Sequence, residues 1–338
     1  MKVDSGFGFY EDFSDVQGLK ERIVDYEAVG FDAVMTTEIA HDPFLLLMLG
    51  AAETSNIELR TSIAVAFARS PMTLAYTAHD INSFSKGRFT LGLGSQIKPH
   101  VTKRFGMPWN GPAKQMQEYL QALKAIWSCW YDKEPLRFEG DTYKHTLMTP
   151  DFTPENLEAG PPRVVLAAVG PKMLQVAASE ADGVILHSFN TQKYLEERVL
   201  PNLTETLAQR NATLSDFEVS FPSFVVTGAN EAAFEKSKAQ TRYRIGFYGS
   251  TPAYRGVLEC HGWEDLQPRL TAMTKDGKWD KLGSLIDDEM LNTFACVGEP
   301  LHVAEQLRER YSKTVDRVTL DNSMPADIIQ AQMDIIRA

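Results

Sequence analysis

The chain has 338 residues, 43% of them hydrophobic, which is enough to bury a large core in one barrel with insertions or in two small domains. Its 34 basic and 45 acidic residues give a net charge of -11, which argues against a DNA or RNA partner because phosphate binding needs a concentrated positive face. The three cysteines (Cys129, Cys260 and Cys296) are widely spaced, which predicts neither disulfides nor a CxxC metal site. The N-terminus has no apolar run of signal-peptide length, and no segment approaches roughly 20 apolar residues, so we expect a cytoplasmic protein without a membrane span.

The first part of the chain alternates short β-branched runs with helical patterns. Strands are predicted at residues 1–5, 31–38, 57–67 and 88–94. Helices are predicted between them, and the second and third begin with Pro43 and Pro71, a residue type suited to the first helical turn. Gly87 has the position typical of the residue that follows a helix C-cap.

The second part of the chain interrupts this alternation twice. A helix at 113–130 is followed by a hairpin with its turn at 139–141, which we place in an insertion at about 131–160. Strands are then predicted at residues 163–170, 182–188, 217–228 and 316–322, with helices from Pro171, Gln192 and Pro325. Residues 229–310 are mainly helical and too long for one crossover, so we expect an inserted helical cap at about 248–300.

Eight strands, each followed by a helix, predict an α/β fold: a single (β/α)8 TIM barrel over residues 1–338, with insertions. The alternative is an open, doubly wound sheet in a Rossmann-like pair of domains. No GxGxxG motif follows the first strand, and the run at 92–97 lacks the third glycine. The pattern therefore favours the closed barrel.

Barrel enzymes carry their active sites at the C-terminal ends of the strands, which gives a set of candidate positions. These positions are Thr36 to Glu38, Ser62 to Ala66, Gly94 to His100, Gly170 to Met173, His187 to Asn190, and Asp321 with Asn322. The fourth of them is the most interpretable, because a strand that runs through Gly170 into a helix starting at Pro171 leaves free backbone N–H groups at a positive helix end. Lys172 adds charge, so the segment predicts an anion site, with an ordinary helix start as the alternative.

Four motifs then stand in a characteristic order: GRFTLGLGSQ at 87–96, PLRFEGDTYKH at 135–145, AAVGPKMLQVAASEADGVILH at 167–187 and FACVGEPLHVAEQL at 294–307. In this order they resemble the luciferase-like monooxygenase superfamily. That superfamily contains flavin-dependent monooxygenases and oxidoreductases that use the 5-deazaflavin coenzyme F-420. The stretch GLGSQIKPHVTKRFGMPW resembles the deazaflavin subgroup.

The resemblance implies roles for particular residues. A non-prolyl cis peptide at Ser62-Ile63 would press against the cofactor ring, and Thr37 would lie near the reactive carbon. The other cofactor-binding residues implied are Gly94, Ser95, Gln96 and Ile97 beside the ring, and Gly170, Pro171, Lys172 and Met173 at the phosphate. A homodimer is also implied.

Four residues are candidates for proton transfer: Glu38, His41, His100 and His187. Glu38 falls where related enzymes place an acid or a histidine, but relatives with Asp-His have a ready proton donor there, and this chain offers a histidine only at His41. His41, His100 and His187 are the histidines nearest the predicted strand ends, and histidine titrates near neutral pH. Each alone is more often a satisfied or exposed loop residue. No residue spacing indicates a metal site.

Three functions remain open. The leading hypothesis is hydride transfer between coenzyme F-420 and an organic small-molecule substrate, in which the protein supplies position and electrostatics. The first alternative is a monooxygenase that uses reduced FMN. The second is a flavin-binding barrel without turnover, since binding and catalysis are separable on one fold; a cap that covers the site from water argues mildly against it.

Overall fold

A computed structural model describes residues 1–7 and 12–338. Its main sheet contains eight barrel strands, which are Lys2–Gly6, Ala33–Thr36, Glu58–Thr61, Phe89–Gly94, Arg163–Ala168, Gly183–Leu186, Glu218–Phe221 and Arg317–Thr319. Each barrel strand pairs with the next one along the chain, and the eighth pairs with the first, so the sheet closes on itself. The predicted (β/α)8 barrel is confirmed.

The third strand is shorter than predicted because it is interrupted. Glu58–Thr61 pairs with the second strand, and the two-residue strand Ala64–Val65 continues along the fourth strand. Between them lies the Ser62-Ile63 peptide bond, which is cis, as the resemblance implied. The chain then makes a short 3-10 turn at Ala66–Ala68.

Helices connect the strands and cover the sheet. Those that follow the first five barrel strands begin close to their predicted starts, and they are Val16–Val29, Pro43–Glu53, Pro71–Phe84, Pro112–Tyr131 and Pro171–Glu180. A helical run follows the sixth strand at 192–208, with a π-type turn at Leu195–Val199. The remaining helices are Glu231–Gly249, Arg255–Glu259, Leu266–Lys275, Asp288–Phe294, Pro300–Tyr311 and Ala326–Arg337.

Local chemistry explains where several helices begin. The Asp42 carboxylate accepts the N–H of Phe44 at 2.8 Å, and Pro43 occupies the first turn, where its missing N–H costs nothing. Ser70 caps the next helix in the same way, through the N–H of Thr73. These caps set the loops that leave the second and third strands.

The seventh predicted strand, 217–228, is two strands. Glu218–Phe221 belongs to the barrel, and Phe224–Val226 pairs in parallel with Ala295–Val297, a strand that the sequence did not predict. Pro222 separates the two halves, and it cannot donate a hydrogen bond to a sheet ladder. The predicted hairpin pairs Phe138–Glu139 with Lys144–His145. Its turn spans residues 140–143, so it begins one residue later than the predicted start at 139.

The described residues fall into two compact units. We term Ser5–Ala167 with Gln175–Val184 the N-terminal unit, and Met1–Asp4, Ala168–Leu174 and Ile185–Ala338 the C-terminal unit. Inside the N-terminal unit, Tyr119 and Trp130 of the helix Pro112–Tyr131 are fully buried. The C-terminal unit has an apolar cluster of its own, which includes Phe189, Phe224, Leu258, Leu270 and Phe294. One domain with two insertions stays a prediction. Within the described ranges, no helix is both long and apolar enough to span a bilayer.

Candidate functional site

In the N-terminal unit, residues at the end of the second barrel strand form hydrogen bonds with the Ser62-Ile63 segment that interrupts the third strand. The backbone N–H of Ser62 donates to the Thr36 carbonyl at 2.7 Å, and the Thr37 hydroxyl donates to the Ser62 carbonyl at 2.9 Å. The backbone N–H of Glu38 donates to the Ile63 carbonyl at 3.2 Å. Thr37 and Glu38 therefore fix the two carbonyls of the Ser62-Ile63 segment. These are the residues for which the resemblance implied a place near the reactive carbon.

Glu38 is buried, and one oxygen of its carboxylate carries its side-chain hydrogen bonds. Its Oε2 accepts the backbone N–H of Val65 at 2.7 Å and the Arg69 guanidinium at 2.7 Å, and Arg69 also donates to Asp42 at 2.8 Å. These charge-assisted bonds hold the carboxylate in place, because it accepts hydrogen bonds from two fixed donors. The contacts therefore favour a structural, positioning role for Glu38 over proton donation to a ligand.

Gly94 ends the fourth strand directly against Ile63. A Cβ atom at Gly94 would lie 2.9 Å from both Cδ1 and Cγ1 of Ile63, closer than real contacts of this kind. The following Gln96 has φ +59°, and its side-chain Oε1 accepts the N–H of Ile97, whose own side chain is 56% exposed. Ser95 is half-buried. The absence of a side chain at Gly94 thus permits the close approach of Ile63 to the end of the fourth strand.

The two candidate histidines of the N-terminal unit, His41 and His100, are exposed. His41 stacks on Phe13 with ring centroids 3.9 Å apart, and the two residues help to line a small cleft that also contains Thr37. His100 begins the π-type turn His100–Arg104. Arg104 donates from its guanidinium to the Ile39 carbonyl, which ties this turn to the loop after the second strand. Lys98 and Lys103 of the same loop are exposed.

The predicted anion site lies in the C-terminal unit, at the start of the helix Pro171–Glu180. The sequence predicted free backbone N–H groups at this helix start. The N–H groups of Met173 and Leu174 are not free, because both donate to the Gly170 carbonyl. The N–H of Lys172 forms no hydrogen bond within the described ranges, and its side chain is exposed. A Cβ at Gly170 would have no neighbour within 4 Å, so there is open space at this helix end.

His187 directly follows the sixth strand and is held in one orientation. Its Nδ1 accepts the backbone N–H of Phe189 at 3.0 Å, so the neutral ring carries its proton on Nε2. Burial, with a smaller contribution from Arg244, lowers the pKa of His187 to about 4. At neutral pH the imidazole is therefore uncharged and can donate a hydrogen bond through Nε2, but it is not a protonated acid.

The sequence did not identify several side chains beside these positions. Arg69 follows the third strand in an otherwise apolar run and pairs with Glu38, and a lone cation in such a run is a usable signal. Tyr248 and Tyr254 contact the ring of His187, and the aromatic-rich run at 243–254 gave no periodicity that could place them. Trp127 and Trp130 are buried core residues. Among the described residues, no three His, Cys, Asp or Glu side chains are grouped to hold a metal ion.

Known proteins resemble this chain over most of its length. The sequence model of the luciferase-like monooxygenase family matches residues 7–317. The Mycobacterium tuberculosis uncharacterized protein Rv1360 is 50% identical over 295 residues, which cover 87% of this chain and 87% of that protein. The putative coenzyme F-420-dependent oxidoreductase Rv3520c, also from Mycobacterium tuberculosis, is 27% identical over 305 residues, 86% of each chain.

Among solved structures, the coenzyme F-420-dependent tetrahydromethanopterin reductase of Methanopyrus kandleri is similar in fold. The two chains superpose with a TM-score of 0.79 and 20% sequence identity, over 99% of this chain and 98% of that chain. At this level of identity, the likeness establishes the barrel fold.

Proposed function

Because the chain belongs to the luciferase-like monooxygenase family, we propose that it is an oxidoreductase that transfers a hydride between coenzyme F-420 and an organic small molecule. The observation that carries the cofactor assignment is the match to Rv3520c, named as a putative coenzyme F-420-dependent oxidoreductase, over 86% of this chain. The deazaflavin supplies the hydride chemistry when bound, and the protein supplies position and electrostatics. A homodimer and a cytoplasmic location stay predictions.

The strand ends of the N-terminal unit support a binding place for the cofactor ring. Gly94 permits the close approach of Ile63, the Thr37 hydroxyl fixes the Ser62 carbonyl, and the exposed Ile97 offers apolar contact. A flat ring system needs such a surface, with small residues where the backbone must approach closely. We assign ring contact to Thr37, Ser62, Ile63, Gly94, Ser95, Gln96 and Ile97.

A separate assignment concerns the anionic part of the cofactor. We assign it to Gly170, Pro171, Lys172 and Met173, where a free N–H, an exposed lysine and open space at Gly170 lie at a helix N-terminus. The positive end of a helix favours phosphate groups. Lys172 contributes charge, and Met173 closes the turn through its bond to the Gly170 carbonyl.

The assignment of proton-transfer residues follows from their surroundings. Glu38 is ion-paired, so we propose that it positions the strand ends through Val65 and Arg69. His187 is neutral, so we propose that it donates a hydrogen bond through Nε2. His41 and His100 are exposed, and they stay the candidates for acid-base work.

A monooxygenase that uses reduced FMN is the second candidate function. The observation in its favour is the description of the matching family, whose model covers residues 7–317. The two functions differ in their need for oxygen. Reduced FMN and a substrate should give oxygen uptake that depends on the protein if this alternative is right, whereas hydride transfer to or from the deazaflavin needs no oxygen.

An equilibrium titration of the purified protein with coenzyme F-420, followed by fluorescence quenching, tests the proposal. We expect saturable binding, and we expect Gly94→Ala to weaken it about tenfold or more, because the new methyl group displaces Ile63. Gly256→Ala is the matched control, since a Cβ there meets Tyr194 at an ordinary 3.5 Å. No binding by the parent protein would overturn the cofactor assignment, and equal binding by the two variants would overturn the ring site.

A further inference from the structure

Three aromatic rings meet at the end of the sixth barrel strand. The ring centroid of His187 lies 4.4 Å from that of Tyr248 and 4.8 Å from that of Tyr254, and the two tyrosine rings are 5.9 Å apart. All three side chains are half-buried. The hydroxyls and the His187 Nε2 form no hydrogen bond with any residue in the ranges 1–7 and 12–338, yet they are not enclosed. Their polar atoms are thus accessible, while the rings are mostly covered.

A guanidinium lies over a neighbouring ring, that of Phe224, whose centroid is 6.4 Å from that of Tyr248. Arg244 is four residues before Tyr248 on the helix Glu231–Gly249, so the two share one helix face. Its guanidinium lies 5.0 Å from the ring centroid of Phe224, and it forms no ion pair with a described residue. In contrast, Arg242 of the same helix is paired with Asp288 at 2.6 Å. Arg244 is therefore a cation without a carboxylate partner in the described part of the chain.

The chemistry of this group is that of a donor set. We term it the His187 subsite, and it consists of His187, Arg244, Tyr248 and Tyr254. Nε2 of His187 carries the ring proton because Nδ1 accepts the Phe189 N–H, and a guanidinium has donors alone. Burial raises the pKa of Tyr254, so its hydroxyl keeps its proton. The described contacts place no carboxylate among the four side chains.

Resting on the proposed function, we propose that the His187 subsite binds the carboxylate of a planar, aromatic or conjugated substrate. Carboxylate oxygens accept from several donors at once, and a guanidinium adds a charge-assisted bond. The aromatic rings offer edge and face contacts to a flat apolar body. The position agrees with this role, since barrel enzymes build their active sites at the C-terminal ends of the strands.

Packing alone does not account for the arrangement. A histidine that serves only core packing is expected to have both ring nitrogens hydrogen-bonded within the protein, because an unpaired buried polar group is costly. His187 has one nitrogen bonded to the main chain and the other accessible and unpaired. A ligand acceptor completes this set, and water does so in the free protein.

The test uses the full chain without cofactor, labelled with 15N at histidine and arginine side chains. Benzoate is the probe, and benzamide is its uncharged match. We expect benzoate to shift the signals of His187 and Arg244 in a saturable way, and benzamide to bind at least about fivefold more weakly, the effect of one charge-assisted bond. Absence of saturable shifts at these two residues, or equal affinity for the two probes, would overturn the proposal.

Variants locate the effect. Arg244→Gln should abolish the preference for benzoate over benzamide, and Tyr254→Phe should weaken benzoate binding by about threefold to tenfold, as expected for one hydrogen bond. Arg269→Gln removes an exposed arginine on another helix and should leave both affinities unchanged. Equal losses in Arg244→Gln and Arg269→Gln would show general electrostatics and contradict the subsite. Coenzyme F-420 is titrated separately, so loss of cofactor binding and loss of benzoate binding are distinguishable.

Discussion

At the scale of single residues, Glu38 illustrates how contacts decide between two roles. Its carboxylate is 7% exposed and bonds to Arg69 and the Val65 N–H. Glu38→Gln removes the charge and leaves Arg69 with Asp42 alone, so we expect a loss of about 2 to 3 kcal/mol in the free energy of unfolding, near the lower limit for breaking a buried pair. Urea denaturation measures it.

The control for Glu38→Gln is an exposed ion pair. Asp276→Asn breaks the pair with Lys278, in which both side chains are more than half exposed, and should cost less than about 1 kcal/mol. If Glu38→Gln proves as mild as Asp276→Asn, the Glu38–Arg69 pair is not a structural anchor, and proton donation by Glu38 regains support.

His187 makes stability depend on pH. Its pKa of about 4 lies below the ordinary value of 6.5, so the unfolded chain binds a proton between these values while the folded protein does not. Stability is therefore lost as the pH falls through this window. We expect the parent protein to lose about 2 kcal/mol more than His187→Gln between pH 7 and pH 5. His302→Gln, at an exposed histidine, should behave like the parent, and identical losses in all three proteins would contradict the assignment.

Two backbone features of the candidate site agree with what was expected. The cis peptide bond at Ser62-Ile63 was implied by the family resemblance, and Gly94 ends the fourth strand, as the run at 88–94 predicted. Arg69 and Arg244 were missed. Their contacts are with residues on other elements, Glu38 for Arg69 and the Phe224 ring for Arg244, and such pairs leave no periodic pattern in one sequence.

At the scale of elements, the join between the strand Phe224–Val226 and the helix Glu231–Gly249 is unusually close. A Cβ at Gly228 would lie 2.3 Å from the backbone nitrogen of Phe234 and 2.7 Å from the carbonyl carbon of Ala233. Backbone atoms cannot move aside as the end of a side chain can. We therefore expect Gly228→Ala to cost about 3 kcal/mol in the free energy of unfolding, at the upper end for an overpacked site.

Chemical denaturation compares Gly228→Ala with Gly256→Ala. The second change adds a methyl group inside the short helix Arg255–Glu259, where alanine is favoured over glycine, so it should be neutral or stabilising by up to about 1 kcal/mol. A Gly228→Ala protein as stable as the parent would mean that the join is looser than its geometry indicates.

Sequence patterns located the barrel strands within a few residues, but two elements differed. The third strand was predicted as one run because the apolar pattern continues across Ser62-Ile63. The strand Ala295–Val297 was missed because it is three residues long and pairs with a segment about 70 residues earlier in the chain. Short strands with distant partners depend on tertiary structure, which local propensity does not contain.

At the scale of the molecule, the chain order of the strands is also their order around the barrel. The first strand pairs with the eighth in the register Lys2↔Arg317 to Asp4↔Thr319. The buried Arg317 guanidinium donates to the Asp4 carboxylate at 2.8 and 2.6 Å, which joins the two ends of the sequence within the C-terminal unit. The alternation of strands and helices predicted that the barrel closes. The ion pair between Asp4 and Arg317 could not be predicted without knowing the register of the first and eighth strands.

We propose that this barrel uses a deazaflavin. Side-by-side measurement of the dissociation constants of coenzyme F-420 and FMN for the purified protein, by fluorescence quenching at one pH and ionic strength, tests this cofactor assignment. We expect saturable binding of coenzyme F-420 at micromolar concentrations or below, and FMN binding at least about tenfold weaker. Micromolar binding of FMN together with no binding of coenzyme F-420 would contradict it.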